Sequence, residues 1–378
     1  MISIRDLSTY CRVDAEKKLL VGEALQKESI KSLMLNQLDY SADYSYYDAI
    51  EQTKYCPKCH RKFPQEENFC PDCLVSLKTI KDIDVKLIES HPEFNFTKSM
   101  EYTDFDEIFS RENFEMIDGF DFKIRDYNAI IRNIRQSSIQ TFDSLIKENE
   151  ILLDELSITD KVLLYSKSFV EVDYKSYGAE LGYFKFNRIT IDDRLTRSLQ
   201  ITTLIHEISH FILNEIVTQI LCTVLDCSKN SLMQSIAVFI MSYSPFTRLI
   251  DEYAAHTTEG RFTVYGYQDY SSFIQIEKSL DGEMGPDEIE ITKSIGNTFA
   301  ISIKEILESY LDDDMRSDIN ELFLDEVTES PNYRMLALEN CDRLTRDGFL
   351  KAIWLVISEG FEMASQNIAK LKEYETYF

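Results

Sequence analysis

Apolar residues recur at helical spacing over most of this chain, and the exceptions are as informative as the rule. Leu19, Leu20, Ala24 and Leu25, followed by Ile30, Leu33, Met34 and Leu38, predict helix within residues 1–50. Ile130, Ile131 and Ile134, then Leu145, Ile146, Leu152 and Leu153, predict helix over 121–157. Residues 199–225 read as one long, mostly apolar helix, and 232–260 as one or two more, interrupted at Pro245, which cannot continue a helical ladder. After the turn-rich stretch 281–286, residues 287–378 are helical again. Residues 161–193 differ. Val162, Leu164 and Tyr165, then 169–172, then 183–191 read as short strand-type runs punctuated by Gly178 and Gly182. Within them 184–191 is apolar at alternate positions, the pattern of a half-buried strand. Residues 77–120 are acidic, Phe-rich and without a clear period, a connector expected to pack on the later part of the chain.

This pattern predicts an α+β fold: a small, strand-edged core inside a mostly helical chain, with a separate Cys-rich module. The expected divisions are a helical segment over 1–53, the Cys-rich module over 54–76, the connector over 77–120, the core over 121–280 and a C-terminal helical region over 281–378.

Charge narrows the partners. The chain has 66 Asp and Glu against 40 Lys and Arg, a formal net charge of −26. That repels nucleic acid and anionic lipid, so neither is expected as a nonspecific partner. Residues 1–10 carry Arg5 and Asp6 and no apolar run of a secretory leader. The longest uncharged stretch, 230–247, contains Asn, Gln, Ser and Pro and fits a buried helix better than a membrane span. A cytoplasmic, reducing location is expected. There, four of the eight cysteines set in two tight pairs point to metal rather than disulfides.

The pairs are Cys56-Pro57-Lys58-Cys59 and Cys70-Pro71-Asp72-Cys73, separated by ten residues. Each offers two thiolates from one tight turn, and two such turns close a tetrahedral four-sulfur site for a structural zinc. The module resembles short zinc ribbons, with His60 and Leu74 standing where glycine usually follows the second and fourth cysteines. His60 is not expected to ligate, because four thiolates suffice. Cys11, Cys222, Cys227 and Cys341 read as buried small hydrophobes, and His91 as a loop residue.

The second cluster is Thr203-Leu204-Ile205-His206-Glu207-Ile208-Ser209-His210. Residues four apart lie one turn apart on one helical face, so His206 and His210 can offer two imidazole nitrogens to one zinc. Glu207 stands beside the first ligand, able to reach a water on that zinc without ligating it. A hydrolytic zinc takes a third protein ligand. Glu252, in Asp251-Glu252-Tyr253-Ala254-Ala255-His256, is the preferred candidate, with Asp251 and His256 as competitors. His256 lies four residues after Glu252 on the same face, where it suits a partner behind a ligand, a donor to an oxyanion, or an alternative ligand.

The strand residues 189–192, the helix carrying Thr203-Leu204-Ile205-His206-Glu207-Ile208-Ser209-His210 and the downstream Glu252-Tyr253-Ala254-Ala255 together resemble the ImmA/IrrE-type gluzincin metallopeptidases. Ser209, and the 42 positions from His210 to Glu252, depart from that family's usual pattern. The resemblance implies a zincin-like core and hydrolysis of a protein or peptide substrate. Zinc on His206, His210 and Glu252 would lower the pKa of its water to about 7. Glu207 would take the proton and later hand it to the leaving amine, and His256, Tyr253 or Tyr265 would help the zinc hold the oxyanion. The substrate would add as a strand along 183–191. An inactive peptidase-fold scaffold that binds partners through the ribbon is the alternative.

Overall fold

The computed structural model describes residues 54–59, 61–64, 66–82, 100–119, 127–175, 181–263, 285–327 and 344–378. The helix expected within 1–50, His60, His91, Cys11, Cys341 and Tyr265 lie outside the described residues.

The described residues are mostly helical, with one small three-stranded sheet, an α+β arrangement. Strands β1 (Lys54–Tyr55) and β2 (Lys62–Phe63) form an antiparallel pair in the Cys-rich module. A 3-10 turn, Ile80–Asp82, carries the chain from it onto the main body, where the Lys167 ammonium donates to the Lys81 carbonyl (2.7 Å) and Lys81 Nζ sits 3.7 Å above the Tyr174 ring.

The region read as a connector holds two short helices, α1 (Phe105–Ile108) and α2 (Arg111–Asp118). Local chemistry starts them. Asp104 and Ser110 each accept a backbone N–H three residues on. As expected, this region packs on a later helix, with Phe109 and Phe114 4.9 and 5.1 Å from Phe361. Helix α3 (Tyr127–Glu148) follows. The apolar run Val162 to Tyr165 is not a strand but part of helix α4 (Ile158–Lys167), capped by Ser157. All four residues are buried, and a short apolar run buried on every side carries no period to separate helix from strand.

The sheet comprises β3 (Glu171–Lys175), β4 (Gly182–Lys185) and β5 (Arg188–Asp192), ordered β3-β5-β4. β5 lies parallel to β3 (Val172 opposite Ile189) and antiparallel to β4 (Phe184 opposite Ile189). The single strand expected over 184–191 is therefore a hairpin. Phe186 turns the chain with φ of 59°, in the left-handed region, and Asn187 follows. Alternation survives such a break because both arms keep one face on the core.

Helix α5 (Arg197–Val224) starts at Thr196, whose side chain accepts the Leu199 N–H. Its 28 residues run about 42 Å. It is buried on nearly every side, with α6 (Ser231–Ser242), α7 (Pro245–Phe262) and the sheet against it. The break between α6 and α7 falls at Pro245 as expected. Ser244 is held extended before the proline and exchanges capping bonds with Thr247. Helices α8 (Pro286–Leu307), α9 (Asp313–Val327), α10 (Arg346–Ser365) and α11 (Ile368–Glu375) complete the described chain.

Two glycines set the spacing. A Cβ on Gly182 would stand 2.6 Å from Thr203 Cγ2 and 2.9 Å from the Thr190 carbonyl, so β4 lies against α5 only with glycine there. A Cβ on Gly296 would stand 2.8 Å from the Ile250 carbonyl, so α8 presses equally closely on α7. The hairpin turn is covered from the far end of the chain. The Phe186 ring stacks on Tyr377 (4.2 Å, 7°) and meets Tyr374 and Phe378 edge-on. Among the described residues, no helix is long and apolar enough to cross a membrane.

Candidate metal centres

The Cys-rich module folds around its sulfurs. Cys56 Sγ accepts the backbone N–H groups of Lys58 and Cys59 at 3.4 Å each, and the Cys70 carbonyl accepts the Leu74 N–H. Cys59 and Cys70 Sγ lie 3.6 Å apart, and the four sulfurs of Cys56, Cys59, Cys70 and Cys73 fall within 4.8 Å of one another. A disulfide would need about 2.0 Å. Sulfurs on the corners of a tetrahedron around zinc sit about 3.8 Å apart. Without a cation the four thiols cannot all ionise. Burial opposes ionisation of Cys56, yet the backbone N–H groups on its sulfur bring it down to about 6, while Cys73 is pushed up to about 12 by burial and by its neighbouring sulfurs. This group could hold a metal ion. Leu74 follows it in the left-handed region (φ 53°), 83% exposed.

The second centre lies between α5 and α7. Leu204, Ile205, Ile208 and Ile212 bury their sides of α5, which turns His206 and His210 towards α7. Their Nε2 atoms lie 3.2 Å apart. Ligands on two corners of a zinc tetrahedron lie about 3.4 Å apart. The other ring edges meet carboxylates of α7. His210 Nδ1 is 2.8 Å from Asp251 Oδ1, and His206 Nδ1 is 3.2 Å from Glu259 Oε2. Those acceptors favour ring protons on Nδ1 and leave the two Nε2 edges facing each other, an arrangement that suits a cation between them. Asp251, a competitor for the third ligand, is thus engaged behind His210.

Glu252 faces the open side, with Oε2 3.8 Å from His206 Nε2 and 3.9 Å from His256 Nε2. Donor atoms of His206, Glu252 and His256 lie within 4.8 Å of one another and could hold a metal ion. His256 is buried, its ring centroid 4.4 Å from that of His206 and its Nδ1 3.5 Å from Glu259. The structure therefore groups His206 with Glu252 and His256, while His210, expected as a ligand beside Glu252, meets this group through His206 Nε2 at 3.2 Å. Tyr253 instead packs, fully buried, beside Gly296 of α8.

Glu207 is buried on the sheet side of α5, 3.7 Å from where a Cβ on Gly182 would stand. Burial raises its carboxyl above the usual range, and Glu252 adds to this. The two imidazoles and the Phe184 backbone N–H, which donates to the Glu207 carboxylate, oppose it. The Phe184 ring lies parallel to His210 (6.4 Å, 12°). On His210, burial works against charge, but Asp251, Glu252 and Glu207 outweigh it and push the ring up to about 10. The pocket is thus strongly receptive to positive charge, whether proton or metal.

Sequence reasoning missed Glu259 and the Phe184 N–H. A signal existed for Glu259. It stands seven positions after Glu252 and three after His256, hence on their helical face, in a run of small residues. The backbone donor had none, because any residue at 184 supplies an N–H. The chain matches no family model, no curated protein and no solved structure.

Proposed function

We propose that the chain is a zinc-dependent peptidase with a zincin-like core of the ImmA/IrrE type. The carrying observation is the paired setting of His206 and His210, with Nε2 atoms 3.2 Å apart and each Nδ1 on its own carboxylate. The donor chemistry fits zinc: imidazoles braced by carboxylates plus the Glu252 carboxylate at 3.8 Å. When bound, zinc at such a site supplies a water acidified to a pKa of about 7 and a Lewis acid for the scissile carbonyl. His206, His210 and Glu252 hold the ion. Glu207, raised by burial and steadied by the Phe184 N–H, takes a proton from the attacking water and delivers it to the leaving amine. β4 is the edge strand beside Glu207, and a peptide laid along it adds a strand to the sheet. His256, whose pKa burial lowers, stands beside His206 and Glu252 with Nε2 3.9 Å from Glu252.

The test is Glu207→Gln assayed on a quenched-fluorescent peptide library. Zinc content stays at the wild-type level while hydrolysis falls about 10²- to 10⁴-fold. Hydrolysis at the wild-type rate defeats the mechanism.

The nearness of His256 supports a second reading. Four protein donors around one ion leave no open corner, and a closed site is structural. The chain would then be a scaffold that binds partners through the ribbon. X-ray absorption at a zinc confined to this centre decides between them: a water ligand supports the peptidase, four protein ligands the scaffold.

A further inference from the structure

We propose that Glu259 is the positioning residue of the helix centre, one carboxylate that holds both the His206 and His256 imidazoles by their Nδ1 edges and so aims both Nε2 atoms at Glu252. The proposal rests on the metal-binding part of the reading above and not on hydrolysis.

Four distances define the arrangement. Glu259 Oε2 lies 3.2 Å from His206 Nδ1 and 3.5 Å from His256 Nδ1. On the far side, the two Nε2 atoms lie 3.8 and 3.9 Å from Glu252 Oε2. The two rings thus stand between two carboxylates of one helix, Glu259 behind and Glu252 in front. Helical spacing makes this possible, since 252, 256 and 259 share a face of α7. Glu259 is 4% exposed, and burying a carboxylate is costly unless it is paired. Thr257, Thr258 and Gly260 around it are buried as well. Asp251 does a lesser version of this task, steadying only His210.

The experiment uses the full chain with zinc at both centres. Zinc affinity is measured by competition with a chromophoric chelator, and the ligand field by the visible spectrum after cobalt substitution. Glu259→Gln keeps the size and one acceptor oxygen but loses the charge that both imidazoles face. Zinc affinity at the helix centre falls about 10- to 100-fold, the cobalt spectrum shifts, and zinc at the four cysteines is unchanged. Asp251→Asn, which loosens one ring, gives the smaller loss. Wild-type affinity and spectrum in Glu259→Gln overturn the proposal. Nitrogen-15 NMR of the unsubstituted chain tests it without a variant, so a misfolded Glu259→Gln leaves it decidable: protons on Nδ1 of both His206 and His256 support it, and a proton on Nε2 of either overturns it. His206→Ala separates the two levels of failure. If that variant still binds two zinc ions, the helix centre is not a metal site and the proposed function falls too. If only Glu259→Gln behaves as wild type, the positioning role alone falls.

Discussion

The ribbon and the helix centre could each hold one metal ion, and they are built in opposite ways. In the ribbon all four donors come from 18 consecutive positions, 56 to 73, and the Cys56 sulfur is steadied by backbone N–H groups of its own turn. In the helix centre the donors come from two helices, His206 and Glu252 being 46 positions apart, and the steadying groups are the side chains of Asp251 and Glu259. The ribbon's donor set is complete in itself and most residues around it are exposed, so a metal bound there would be coupled to its folding. The helix centre stands in a large apolar core that exists for other reasons, so its helices keep their places whether or not an ion is bound. A metal that folds a module is held tightly, whereas a metal serving chemistry sits in a pocket the protein has already shaped.

Single substitutions should break this comparison cleanly. His206→Ala lowers zinc from two ions per chain to one, leaves the thermal transition of the main body in place and abolishes any hydrolysis; elemental analysis beside a melting curve reads all three. Cys70→Ser also lowers the count to one, but the ribbon unfolds, seen as rapid amide exchange over 54–76 with hydrolysis preserved. If each variant loses both ions, the two centres are not independent. Mild chelation sharpens the same contrast, removing the helix zinc first. Gly182→Ala pushes β4 off Thr203, at a cost of about 1–3 kcal/mol for the overpacked contact. Zinc content stays normal while β4 amides exchange faster, and an unchanged exchange pattern would show that the strand tolerates the extra methyl. The smallest effect belongs to Leu74→Gly. It relieves a left-handed side-chain residue in the ribbon and slows zinc loss to a chelator by the equivalent of about 1 kcal/mol.

Much of this was legible in the chain. The interval of four between His206 and His210, the apolar flanks of α5, the break at Pro245 and the spacing of the four cysteines are local facts, and the structure agrees with each where it describes them. What failed was what depends on surroundings. Val162 to Tyr165 belong to a helix buried on all sides, so no period was visible. The hairpin was hidden because Phe186, an unlikely residue for a positive φ, makes the turn with help from an aromatic stack nearly 200 positions away. The pattern prefers Glu252 but keeps its neighbour Asp251 as a competitor. Adjacent carboxylates on a helix point about 100° apart, and only the position of α5 says which one meets an imidazole edge and which one faces the pocket.

The stack of Tyr377 on Phe186 also orders events in time. A growing chain acquires His206, Glu207 and Glu252 while Tyr374, the nearest residue of the covering cluster, is still 122 positions from being made after Glu252. Contacts so distant in sequence close late, because the loop entropy must be met before they reward it. The strand beside Glu207 thus gains its last support only after every residue of both centres has been synthesised.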